Sequence, residues 1–246
     1  MTVAHDDGAS LDRQPDPGVA ALACIHRHFP TCAVALLSGS VGRSEGRPAS
    51  DLDVVVLSAG EQPRWATFTE AGWPIEVFVH TLESYLPAFG RDVQRRWPFF
   101  LVLCAEGRVL IDRDGRARAV QDEARRLLAA GPAPLSKEEI DACRHYLTVA
   151  LDDFADADDL DEARFIGHDL ATKAATYYLT SHRHWRGLGK WLLRAVREAD
   201  PAGAQELLHA LAVLYQEGNK APLHLFAQTV LSSLGGRRFE GYTETW

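Results

Sequence analysis

Asp51 and Asp53 stand two residues apart at the mouth of the apolar run Val54-Val55-Val56-Leu57. In a β-strand residues i and i+2 share a face, so the two carboxylates project side by side while Leu52 points the other way. Like charges placed together are costly unless a cation sits with them. Carboxylates combined with phosphate oxygens are what Mg²⁺ prefers. Upstream, the apolar run Ala33–Leu37 ends in Ser38-Gly39-Ser40. Gly39 has no Cβ, so the amides of this turn can approach an anion closely and form a nest for it. A phosphate cradle followed by a metal-holding carboxylate pair points to nucleotide chemistry.

The elements that must position these groups can be read on either side of them. A helix from Val19 to Phe29 stops before Pro30. Strands are expected at Ala33–Leu37, Asp51–Ser58 and Ile75–His80, and the loop around Gly60–Arg64 carries no clear chemistry. Glu76 lies alone among apolar and β-branched residues in the third of these strands. A helical pattern from Thr81 to Cys104 is interrupted near Gly90 and Pro98. Arg108–Asp112 reads as a last strand leaving by Asp114-Gly115. After Gly115 the pattern is helical. Ala117–Ala130 closes at Gly131-Pro132, and Ser136 with Glu139 forms a capping box for a helix running towards Phe154. Further helices are expected at about 161–182, 190–198, 202–216 and 223–234. The expected fold class is α+β: a small mixed-sheet domain at 1–115, its first fifteen residues a mobile tail, then a helical bundle at 116–246. The active site is expected in the cleft between them.

The pattern Gly39-Ser40, a loop, then Ser50-Asp51-Leu52-Asp53 followed by aliphatics resembles the signature of the DNA polymerase β-type nucleotidyltransferase superfamily. The resemblance is specific over Leu36–Val79. Beyond that it is general, the helical half being similar to the small antibiotic-modifying branch. It implies that Glu76 is the third carboxylate, and that Asp51, Asp53 and Glu76 hold two Mg²⁺ ions. Glu76 completes one metal site or takes the proton of the attacking group. It further implies that Gly39 and Ser40 hold the nucleotide's phosphates and that Ser50 and Arg43 belong to the same nucleotide site. A surface salt bridge with Glu45 is an equal reading for Arg43. Lys190, which opens a helix after Gly187-Leu188-Gly189, resembles a phosphate-contacting lysine of the antibiotic-adenylylating enzymes. Lys173 competes for that role, and a plain solvated lysine is the alternative for both. Asp169, one turn before Lys173, is the candidate acceptor-side acid, with Lys173 beside it.

Composition narrows the partners. The net charge of −8 argues against a protein that grips long nucleic acid, which usually shows a basic face. The acidic run from Asp152 to Glu162 could attract a polycation. It reads at least as well as a solvated loop with acids at a helix N-terminus. The four cysteines show no C-x-x-C spacing and read as buried free thiols. His26-Arg27-His28 and His182-Arg183-His184 lack companion ligands, and His80 reads as satisfying a local hydrogen bond. No apolar run approaches a membrane span, and a cytoplasmic monomer or homodimer without membrane or stable nucleic-acid binding is expected.

The expected activity is Mg²⁺-dependent transfer of a nucleoside monophosphate, AMP from ATP foremost, to a hydroxyl of a small molecule such as an antibiotic, releasing pyrophosphate. The alternatives are a toxin–antitoxin-type nucleotidyltransferase that binds or modifies a partner protein, and a catalytically retired nucleotide-binding module.

Overall fold

The structure, a computed structural model, describes residues 15–39 and 50–244. The expected tail therefore lies almost wholly outside the described residues, and so do Ser40 and Arg43. The chain divides into two compact units. One runs up to Phe89 and adds Phe99–Arg126; the other consists of Gly90–Pro98 and the chain from Leu127 onward.

The first unit opens with helix α1 (Pro17–His28), started by Asp16, whose carboxylate accepts from the amides of Gly18 at 2.8 Å and Val19 at 3.2 Å. Pro17 at the first position costs nothing, because its missing N–H would have no helical partner there. Ala20, Ala21, Cys24 and Ile25 are buried against a five-stranded sheet. Its strands are β1 (Val34–Ser38), β2 (Leu52–Leu57), β3 (Arg64–Glu70), β4 (Trp73–His80) and β5 (Arg108–Asp112), in the order β3-β4-β2-β1-β5. β2 and β4 run parallel and the other neighbours antiparallel, so the sheet is mixed.

Alternation sorts the sheet into two faces. Ala35, Leu37, Leu52, Val54, Val56, Ile75, Val77 and Val79 join α1 in one core. The intervening residues, Leu36, Ser38, Asp53, Val55, Glu76, Phe78 and His80, share the opposite face. That face carries α3 (Phe99–Glu106): the Ser38 hydroxyl donates to the Leu103 carbonyl, and Phe78 meets Phe99 edge-on at 5.0 Å. Covered on both sides, β1 is buried throughout, which is why it reads as an unbroken apolar run. Helix α2 (Tyr85–Arg95), which precedes α3 in the chain, sets Phe89 against Phe100 at 5.5 Å.

Helix α4 (Ala117–Ala130) keeps its first turns with this unit. Asp112 accepts from the amides of Arg116 at 2.8 Å and Ala117 at 3.2 Å, and Gln121 donates to the Gly107 carbonyl at 2.7 Å. The first unit accordingly takes in α4 as far as Arg126.

Strand β3 is absent from the sequence reading, which has only a loop near Gly60–Arg64. It pairs with β4 through a two-residue hairpin in which Glu70 faces Trp73. The hairpin residues Ala71 and Gly72 both have positive φ, 51° and 80°, the twist that a tight two-residue hairpin demands.

The second unit contains α5 (Lys137–Asp156), α6 (Leu160–Ser181), α7 (Lys190–Ala199), α8 (Pro201–Glu217) and α9 (Ala221–Ser233), each within two residues of expectation where bounds were drawn. The capping box forms: Ser136 Oγ accepts from the Glu139 amide at 3.2 Å, and Glu139 accepts from the Ser136 amide at 2.8 Å. The core gathers Leu147, Leu151, Phe154, Leu170, Leu179, Leu214 and Leu231. Gly167 lets α6 come close, since a Cβ there would run into Leu214 and Phe154. Arg96, buried, donates to the carbonyls of Ala133 at 2.8 Å and Pro134 at 2.9 Å and to both oxygens of Glu139, tying residues 94–96 to the start of α5. Among the described residues no helix is long and apolar enough to cross a membrane.

Candidate active site

Backbone register places the acids. Across the sheet, Ser38 of β1 pairs with Asp53 of β2, Asp53 with Glu76 of β4, and Glu76 with Thr67 of β3. Neighbouring strands lie about 4.8 Å apart, so Asp53 and Glu76 are nearest neighbours on one face. Asp51 stands just before β2 and is exposed. Burial raises the Glu76 carboxyl above its ordinary value, and the negative charge of Asp51 raises it further. Glu76 is thus the register neighbour of Asp53 and feels the charge of Asp51.

Gly39 closes the row. Its φ is +71°, a conformation that costs other L-residues about 1–2 kcal/mol. A Cβ on it would run into the Asp53 carboxylate. Only glycine satisfies both demands, so the backbone at Gly39, just past β1, presses directly on the β2 acid. The end of β1 is held from the other side. Ser38, 2% exposed, is bonded to α3, and Gly107 leaves room for its hydroxyl: a Cβ at Gly107 would come within 2.6 Å of Ser38 Oγ.

Among the described residues no group of three or more His, Cys, Asp or Glu side chains forms a ready metal cage. Mg²⁺ seldom uses such a cage; it takes one or two carboxylates and completes its shell with water and phosphate oxygens. The donor chemistry fits that mode. Hard carboxylates stand on paired strands, and that of Asp53 fills the space a Cβ on Gly39 would take.

No family model matches the chain, and no curated protein matches it. Among solved structures it is similar to a nucleotidyltransferase-like protein from Exiguobacterium sibiricum 255-15. That pair shares 10% identity with a TM-score of 0.49, over 88% of this chain and 74% of the other.

The candidates Lys190, Asp169 and Lys173 belong to the second unit. Lys190 opens α7 behind Gly189, whose φ is +52°, and its ammonium lies 5.6 Å from the Trp191 ring. Asp169 and Lys173 pair with each other along α6. They border a groove of about 380 Å³ shared with Tyr146 and Asp153. A larger cavity of about 440 Å³ lies among Tyr178, Asp200, His209 and Phe226. Neither cavity includes the acid row.

Three acids of the run from Asp152 to Glu162 have structural roles. Asp159 caps α6 by accepting from the amides of Asp161 and Glu162, both at 2.9 Å. Asp161 pairs with Arg164, and Asp152 with Arg237. His80 lies 3.1 Å from Ser84 Oγ through Nδ1, and its ring meets Phe100 at 4.4 Å. All four cysteines are free and buried.

Proposed function

We propose that the first unit binds a nucleoside triphosphate with Mg²⁺ and transfers its nucleoside monophosphate, AMP from ATP foremost, to a hydroxyl of a small molecule. The observation that carries this reading is the register pairing of Asp53 with Glu76, set against the Gly39 turn. Asp51 and Asp53 would hold Mg²⁺, which when bound offsets the negative charge of the phosphates. Gly39 brings its backbone beside that carboxylate, and the resemblance puts the phosphates there. Glu76, with its affinity for a proton raised, is suited to accept the proton of the attacking hydroxyl.

Ser40, Arg43 and Ser50 are assigned to the nucleotide by the sequence resemblance, as is Lys190. Asp169 and Lys173 are the acceptor-side candidates on the same ground. Their mutual pairing, and the structural roles of Asp152, Asp159 and Asp161, weaken the idea of a polycationic antibiotic as acceptor.

Radiolabelled ATP and Mg²⁺ incubated with a panel of hydroxyl compounds provide the test. Transfer of label with release of pyrophosphate, absent from Asp51→Ala/Asp53→Ala, supports the reading. Bound nucleotide that is never transferred to any acceptor, in wild type as in the variant, favours a retired binding module.

A further inference from the structure

The acid row continues into an aromatic surface. On β3 and β4 the pair next to Thr67–Glu76 is Trp65–Phe78. Two residues along a strand advance about 6.6–7 Å on the same face, so Trp65 and Phe78 stand one such step from the Glu76 carboxylate. The facing is fixed independently. Phe68 packs against His28 at 4.1 Å and Phe29 at 6.0 Å on the α1 side, which sends Trp65 and Thr67 to the acid side. Phe99 walls this surface through its edge-on contact with Phe78. Trp65 is 61% exposed and Phe99 39% exposed. An edge strand normally carries charge or proline rather than an open indole, and exposed aromatics that cluster commonly mark binding surfaces.

Strand order also separates two flanks. Gly39 leaves β1 on one side of Asp53, and Glu76 lies on the other with the aromatic pair beyond it. With phosphates on the β1 flank, the β3–β4 flank is left for the acceptor.

We infer that Trp65, Phe78 and Phe99 form the acceptor's platform, and that the acceptor is a hydroxyl-bearing ring with a flat apolar face. This rests on the nucleotidyl-transfer reading above. The ring lies on the indole and points a hydroxyl at Glu76. That hydroxyl gives its proton to Glu76, and its oxygen bonds to the α-phosphorus. The bond from phosphorus to the bridging oxygen breaks, and pyrophosphate leaves with the electron pair.

The test uses the full chain labelled with 5-fluorotryptophan, which gives six fluorine signals, that of Trp65 being identified by Trp65→Phe. Phenyl β-D-glucopyranoside is the probe and glycerol the open-chain control, each titrated with Mg²⁺ and a non-hydrolysable ATP analogue present. The expected result is a saturable shift of the Trp65 signal by the glucoside and none by glycerol. Trp65→Ala weakens glucoside binding roughly tenfold and leaves nucleotide affinity unchanged, while Trp65→Phe retains most of the binding. If nucleotide binds and the Trp65 signal stays fixed, or glycerol moves it equally, the platform is overturned and the nucleotide reading stands. If the wild type binds no nucleotide, both fall together.

Discussion

Asp53 of β2 and Glu76 of β4 are register partners on neighbouring parallel strands, so two carboxylates face one another across the sheet. Their flanking residues fix this arrangement. Leu52, Val54, Ile75 and Val77 are all buried beneath α1, so a slip of one residue in either strand would drive its acid into that core. The fold therefore keeps the two carboxylates side by side on one face of the sheet.

Gly39→Ala tests how closely the turn is coupled to the acid. The new methyl group meets the Asp53 carboxylate and also forces a left-handed backbone on alanine. A loss of about 1–3 kcal/mol in stability is expected, together with loss of nucleotide binding out of proportion to it. Urea denaturation and calorimetry on the same variant separate the two effects. Unchanged nucleotide affinity in Gly39→Ala would remove the turn from the site.

Glu139 provides a pH test within the helical unit. Burial pushes its carboxyl up, but the bonds from Arg96 and from the Ser136 amide outweigh this and hold it below the ordinary 4.5. A lowered folded-state pKa stabilises the native state above the unfolded value, and that contribution is lost as the pH falls through the folded one. Wild type should exceed Glu139→Gln by about 1 kcal/mol at neutral pH, a modest figure because the carboxylate is 46% exposed. The two chains should converge in acid. Urea midpoints across that range decide, and a difference independent of pH would contradict the ion pair.

Much of this was legible in the sequence for identifiable reasons. β1 and β2 are covered on both faces and so appear as continuous apolar runs, and Glu76 shows as one acid in such a run. Local signals also gave the capping box at Ser136 and the helix ends at Pro201 and Gly218. Strand β3 was missed because its residues are mostly exposed and provide no apolar run. Its alternating Trp65, Thr67 and Thr69, followed by Ala71-Gly72, were the available signal. Arg96 with Glu139 could not be read, since the contact joins residues far apart in the chain. The i,i+4 spacing of Asp169 and Lys173 was the available signal for a pairing that the sequence reading did not draw.

Asp159→Ala distinguishes structural from substrate-attracting roles for the acidic run. Removing the cap on α6 should cost about 1 kcal/mol. Transfer kinetics should remain unchanged. A selective rise in the acceptor's KM with the thermal midpoint intact would return that run to the substrate.

The most direct measurement is titration calorimetry of ATP, with and without Mg²⁺, on wild type, Asp53→Asn and Glu76→Gln. Two carboxylates acting together in a nucleotide site require saturable, Mg²⁺-dependent binding to wild type that Asp53→Asn abolishes. Glu76→Gln, if Glu76 serves chiefly as the proton acceptor, should still bind nucleotide while transfer is lost. Nucleotide binding of equal strength in wild type and Asp53→Asn, or none in wild type, would contradict the site built on Asp53 and Glu76.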